Sequence, residues 1–262
     1  VFHDNSPFSA VTVTVSAKIA CCDSERPFVP PVAEWAKRAP AQELSRFVEE
    51  GTRTTMQDLL EILNLAGTFA FAISGATVAV QGGMDIFGVM VLAFVTAVAG
   101  GVMRDLIIGA IPPAAFQSWH VLAITVGAAL LTFCATRLVR RLQHAVQFFD
   151  AAGLGFFAVD GTQRALVHGI DPVMAGMLGL VTGIGGGIVR DVLAGRKPLV
   201  LSSGFYASAA LAAVAIVLAA HAMGIAAGWT AIAAVATCFC LRVLAIYGRW
   251  NLPSAPIDAS RA

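Results

Sequence analysis

Charge is what this sequence has least of. Asp, Glu, Lys and Arg make up 13% of its 262 residues and hydrophobic residues 58%, where a soluble domain carries about 25% and about 45–50%. A soluble protein of this length has no way to hide so much apolar surface; a bilayer does. The net charge of +1 leaves no electrostatic footprint for nucleic acid. Cys21, Cys22, Cys134, Cys238 and Cys240 lack zinc-ligand spacing, and His3, His120, His144, His168 and His221 are scattered. No metal and no cofactor is therefore implied. Cys134, Cys238 and Cys240 lie inside apolar runs, where cysteine serves as a small hydrophobe. Missing too are a phosphate-cradling P-loop, an H-E-x-x-H pair and a G-x-S-x-G elbow, so nothing points to an enzyme.

What is present is a series of apolar runs. A helix that spans a bilayer needs about 20 largely apolar residues, and candidates occur at 59–80, 86–108, 119–136, 145–167, 173–194, 204–222 and 226–246. The expectation is an all-α integral membrane protein with seven transmembrane helices. The fourth run is the least apolar, carrying Asp150, Asp160, Gln163 and Arg164. Lys and Arg in short loops mark the cytoplasmic side. One side collects Arg137, Arg140, Arg141, Arg190, Arg196, Lys197 and Arg249; the other has Arg46, Arg53, Arg104 and Arg164. That bias predicts an external N-terminus and a cytoplasmic tail, 249–262, in the cell (inner) membrane.

Residues 1–55 are a different material, with Pro7, Pro27, Pro30, Pro31 and Pro40 among mixed charges and no apolar stretch of spanning length. Residues 10–22 make a poor signal peptide, because the apolar run is interrupted and no basic region precedes it. The first methionine is Met56, immediately before the first span. One expectation is that translation starts near Met56. The other is a disordered extension with one short amphipathic helix at 41–50.

An internal repeat is the strongest signal in the chain. Sliding the sequence by 86 residues aligns Gly67 with Gly153, Phe71 with Phe157, Gly75 with Gly161, Gly83 with Gly169 and Asp85 with Asp171. The same register brings Thr96 onto Thr182, Gly100-Gly101 onto Gly186-Gly187, Arg104-Asp105 onto Arg190-Asp191, and Pro112 onto Pro198. The copies are 57–136 and 145–222. Each holds three spans, an odd number, so the second enters the membrane from the opposite side. Inverted repeats of this kind put a substrate or ion path at their interface. The seventh span, within 226–248, lies outside the repeat.

Candidate functional residues sit at matched positions. Gly100, Gly101, Gly185, Gly186 and Gly187 weaken their helices by roughly 1 kcal/mol each relative to alanine. They either kink the helices and free carbonyls toward a water-filled path or allow close helix packing. Arg104, Asp105, Arg190 and Asp191 come late in their spans. Either they form the mouths of a path or they are ion pairs tying the repeats together, since unpaired charges in a bilayer cost about 2.5–3.5 kcal/mol. Asp160 and Arg164, four residues apart, share a helix face and can pair. Asp160 occupies the place of Ser74 in the first copy; it is either a cation attractor on an ion path, with Arg164 as its neutralising or gating partner, or a satisfied helix–helix contact. Ser74, Thr96, Asp160 and Thr182 are candidates for a polar wall. Asp85 and Asp171 read as helix N-caps.

The stretch Gly67-Thr68-Phe69-Ala70-Phe71-Ala72-Ile73-Ser74-Gly75-Ala76, then Asp85-Ile86-Phe87-Gly88-Val89, then Gly100-Gly101-x-x-Arg104-Asp105 resembles the bacterial branch of the trimeric intracellular cation (TRIC) channels. That branch is also catalogued as a glycine-transporter or UPF0126-type membrane domain. The resemblance covers residues 57 to about 248. It implies a homotrimer in the lipid bilayer, each protomer with its own pore for potassium or sodium ions, and bends at the glycine motifs of the second and fifth helices. Ala99 stands where the second copy has Gly185, so the two bends are not equivalent. A secondary transporter of a small solute such as glycine, or a non-transporting scaffold, fits the same architecture.

Overall fold

The computed structural model describes residues 41–141, 144–202 and 205–248. The chain divides into two units, Val1–Leu59 and Leu60–Ala262, and the second holds nearly all of the apolar runs. The expectations for residues 1–40 and for the tail 249–262 lie outside the described residues.

Among the described residues the secondary structure is helical. The long helices are α1 (Ala41–Gln81), α2 (Ile86–Ile107), α3 (Trp119–Cys134), α4 (Ala145–Val167), α5 (Pro172–Leu193), α6 (Tyr206–Ala222) and α7 (Ala227–Gly248). Short helical segments, Thr136–Arg141 and Leu199–Ser202, and a 3-10 turn, Ala114–Phe116, join them. The helix expected at 41–50 is not a separate element: its assignment continues to Gln81.

Helix ends follow from local chemistry at matched positions. Asp85 caps α2, accepting from the Gly88 amide at 2.7 Å, and Asp171 caps α5, accepting from the Val173 amide at 3.0 Å. At the end of α1 Gly83 has φ +72°, and at the end of α4 Gly169 has φ +76°. This left-handed residue lets Met84 N–H reach the Ala79 carbonyl and Ile170 N–H the Ala165 carbonyl, closing both helices.

Among the described residues four helical stretches are long and apolar enough to cross a membrane: Asp58–Gln81, α2, α5 and α7. The apolar helices α3 and α6 are shorter, at 16 and 17 residues. At 1.5 Å per residue each covers about 25 Å, somewhat less than a bilayer core of about 30 Å. Helix α4 falls short on composition, not length, and packing explains why. It lies against α5, α6 and α7, and every residue from Phe157 to Gln163 is buried. A helix enclosed by other helices has no need of an apolar surface all round.

The outward surface is rich in large apolar side chains, among them Phe87, Ile107 and Leu201, with Trp119, Trp229 and Tyr247 exposed near helix ends. Aromatic side chains in such places suit the boundary between hydrocarbon and headgroups. One expectation is corrected. Arg104 and Arg190 are 1% and 0% exposed, so they are interior groups and carry no weight as loop charges in the orientation argument. Aspartate partners keep them there.

Candidate functional site

Helices α2 and α5 cross at their glycines. A Cβ on Gly100 would overlap the carbonyl oxygen of Thr182, and one on Gly186 would overlap that of Thr96. These contacts are reciprocal, since position 100 corresponds to 186 and position 96 to 182. Reciprocity of this sort is what a two-fold relation produces. It recurs between α1 and α4. A Cβ on Gly67 would lie 3.1 Å from the Phe157 ring and one on Gly153 2.7 Å from the Phe71 ring, while the two rings stack at 5.5 Å.

The glycine runs lie within continuous α-helix, so they do not interrupt the helical assignment. At Gly100, Gly185 and Gly186 the geometry is that of close packing; Gly185 would meet the Gly100 Cα at 3.3 Å. Gly101 and Gly187 point elsewhere, because successive residues on a helix are turned by about 100°. Thr96 and Thr182 are fully buried. Their hydroxyls donate to carbonyls of their own helices, Leu92 at 2.5 Å and Leu178 at 2.6 Å. They pack on glycines as well, since a Cβ on Gly75 would sit 2.6 Å from the Thr96 hydroxyl and one on Gly161 2.8 Å from that of Thr182.

The arginines clasp across the halves. Arg104 on α2 pairs with its neighbour Asp105 at 2.8 Å and reaches Asp160 on α4. Arg164 pairs with the other oxygen of Asp160 at 2.8 Å. Arg190 on α5 pairs with Asp191 at 2.8 Å, reaches back to Ser74 on α1 at 2.6 Å, and pairs with Asp150 of α4 at 2.6 Å. Positions 74 and 160 correspond, so each arginine grips the same site of the opposite copy. The second oxygens of Asp105 and Asp191 accept from the Ala114 and Leu199 amides at 2.8 and 2.9 Å, which ties each pair to the loop that follows its helix.

The charges of the first group, Arg104 and Arg164 against Asp105 and Asp160, sum to zero. So do those around the second, Arg190 and Arg242 against Asp150 and Asp191. A buried arginine is tolerable in hydrocarbon on these terms. Asp160 offers both oxygens to arginines, so its carboxylate is a holding group.

A small cavity lies beside Gly101, lined by Asn64, Thr68, Gly101, Arg104, Asp105 and Phe157. The second half has other residues there. Asp150 and Tyr206 converge on Gly187, and the Arg242 guanidinium carbon lies 4.6 Å from the centre of the Tyr206 ring. Sequence reasoning passed over Tyr206, Arg242 and Asn64. One signal was available: Arg242 is the lone charge inside the last apolar run.

Taken together these features define a class: a helical membrane protein whose two like halves interlock through buried arginine–aspartate groups. The sequence model of a family described as glycine transporter matches residues 61–137 and again 147–222, two stretches that begin 86 residues apart. A UPF0126 membrane protein of Vibrio cholerae is 37% identical over 195 residues, 74% of this chain and 81% of that one. A UPF0126 inner membrane protein of Escherichia coli is 39% identical over 150 residues, 57% of this chain and 72% of its own. The crystal structure of the TRIC trimeric intracellular cation channel orthologue from Rhodobacter sphaeroides superposes with a TM-score of 0.70 at 34% identity, covering 73% of this chain and 98% of that one. The chain belongs to this membrane-protein family, the UPF0126 branch that shares the TRIC channel fold.

Proposed function

We infer that the protein is a passive channel for monovalent cations, chiefly potassium. The observation that carries this reading is the likeness to a TRIC cation channel over 98% of that channel's length at 34% identity. In this reading seven helices cross the inner membrane, the two three-helix copies lie inverted to one another, and each protomer of a homotrimer has its own path between them. The N-terminus is outside and the C-terminus cytoplasmic. The cavity beside Gly101 is a vestibule, and the α2–α5 crossing at Gly100, Gly185 and Gly186 sets the width of the path. The two neutral arginine groups hold the halves together and keep the interior polar without trapping a cation, since no carboxylate among them lacks an arginine.

Potassium flux through purified protein in liposomes tests this. Fast flux that does not saturate with concentration is expected, reduced severalfold by Asp160→Asn, which loosens the tie between copies. A second reading has its own support, since the matching family model carries the description glycine transporter. Saturable glycine uptake with no cation flux in the same liposomes would replace the channel by a carrier. Absence of both would leave a scaffold.

A further inference from the structure

The two halves align in one register, yet two pairs of matched positions have opposite surroundings. The shift of 86 places Tyr206 on His120 and Gly187 on Gly101. His120, at the start of α3, is exposed, stacked on Trp119 at 4.3 Å and bonded to Ser118 at 2.8 Å. Tyr206, at the start of α6, is 1% exposed. The space over Gly101 is open, with the Arg104 guanidinium at 3.8 Å the nearest atom a Cβ would meet; over Gly187 it is closed by the Tyr206 hydroxyl at 3.0 Å and the Asp150 carboxylate at 3.1 Å. A cavity stands where the second half has a phenol ring.

What holds the ring is the helix outside the repeat. Arg242 of α7 lies over the Tyr206 face, itself only 2% exposed, a cation–π contact of the sort that gains strength away from water. Around the ring several buried polar atoms have no protein partner: Asp150 Oδ2, Arg190 Nη2, and Arg242 Nε and Nη2. Buried groups of this kind call for a compensating partner, and water entering the site would satisfy all of them. The groups that close on the ring are thus the ones that also carry unpaired atoms.

We propose that Tyr206, clamped by Arg242, is a plug that closes the second-half counterpart of the Gly101 cavity, and that α7 exists in part to hold it. Withdrawal of the ring hydrates Asp150, Arg190 and Arg242 and opens a polar passage beside Gly187. The plug gates the cation path and in that respect rests on the channel reading; the ring's control of water entry does not.

The test uses the full chain in liposomes with Cys21, Cys22, Cys134 and Cys240 changed to serine, leaving Cys238. That thiol is buried on α7 one turn before Arg242. Labelling of Cys238 by a charged, membrane-impermeant thiol reagent is compared between this background, Tyr206→Ala and Tyr206→Phe, with potassium flux measured in parallel. Labelling is expected to quicken severalfold in Tyr206→Ala and less in Tyr206→Phe, which keeps the ring and loses the hydroxyl; potassium flux is expected to rise in the same order. Variants are compared only where their elution in detergent matches the parent, and Tyr206→Phe decides if Tyr206→Ala does not fold. Unchanged labelling in a folded variant overturns the plug, whatever the flux. Faster labelling without potassium flux in any protein upholds the plug and removes the channel reading instead.

Discussion

The first and second halves solve one problem with different parts. At the end of α2, Arg104 is tied to the opposite copy by a carboxylate, Asp160, which also takes Arg164. At the end of α5, Arg190 is tied to the opposite copy by a hydroxyl, Ser74, and finds its second carboxylate, Asp150, within its own copy. Both arrangements neutralise a buried arginine. Only the first makes the bond between copies an ion pair. The lesson is that the repeat preserves charge balance and helix crossing, while the element that supplies each charge is free to change.

Asp160→Ala tests that asymmetry most severely. It strips a carboxylate from two arginines at once, and breaking a buried pair costs about 3–5 kcal/mol. Thermal unfolding in detergent should show a larger loss for Asp160→Ala than for Ser74→Ala, which removes one hydrogen bond from a charged group and one to the Val146 carbonyl. Equal losses would mean that the ties at the two ends are equivalent.

Within one helix the glycines sharpen the comparison further. Gly100→Ala forces a methyl group into the Thr182 carbonyl and should destabilise by about 1–3 kcal/mol, the usual range for overpacking. Gly101→Ala meets only a guanidinium at 3.8 Å and should be neutral or stabilising by about 0.5–1 kcal/mol, the helical preference for alanine. The melting temperature should fall for Gly100→Ala and hold or rise for Gly101→Ala. The smallest difference between the halves is expected where they are most alike. Asp85→Ala and Asp171→Ala each remove an N-cap and should cost about 1 kcal/mol, with closely similar shifts in the same assay.

Much of this was legible beforehand. Helices α2 to α7 fall within a few residues of the apolar runs, because a bilayer imposes length and hydropathy on each segment separately; α1 ends with its run but starts well before it, at Ala41. The caps at Asp85 and Asp171 and the pairing of Asp160 with Arg164 follow from spacing along one chain segment. The glycine runs were ambiguous for a physical reason. A missing side chain permits a kink or a close approach equally well, and only the neighbouring backbone tells which is used. Thr96 and Thr182 show the same limit: their spacing marks them as candidates for a polar wall, while only the structure shows that their hydroxyls donate to their own helix carbonyls.

Asp160 shows how far a local view reaches. Its partner four residues on was visible, while its partner Arg104, 56 residues away, depended on how α2 lies against α4. Tyr206 is the extreme case. Nothing near it in the chain separates it from His120 at the matched position; one ring is enclosed and the other exposed because α7 packs against α4 and α6 and brings Arg242 to the ring.

The sequence by itself determined the solvent, the run of helices and the doubling of a unit, since each rests on hydropathy and periodicity that operate over a few turns of chain. Tertiary structure alone decided which arginine meets which carboxylate, which glycine carries a crossing and which aromatic ring turns inward. Those choices depend on residues far apart in the chain that meet only when the helices pack.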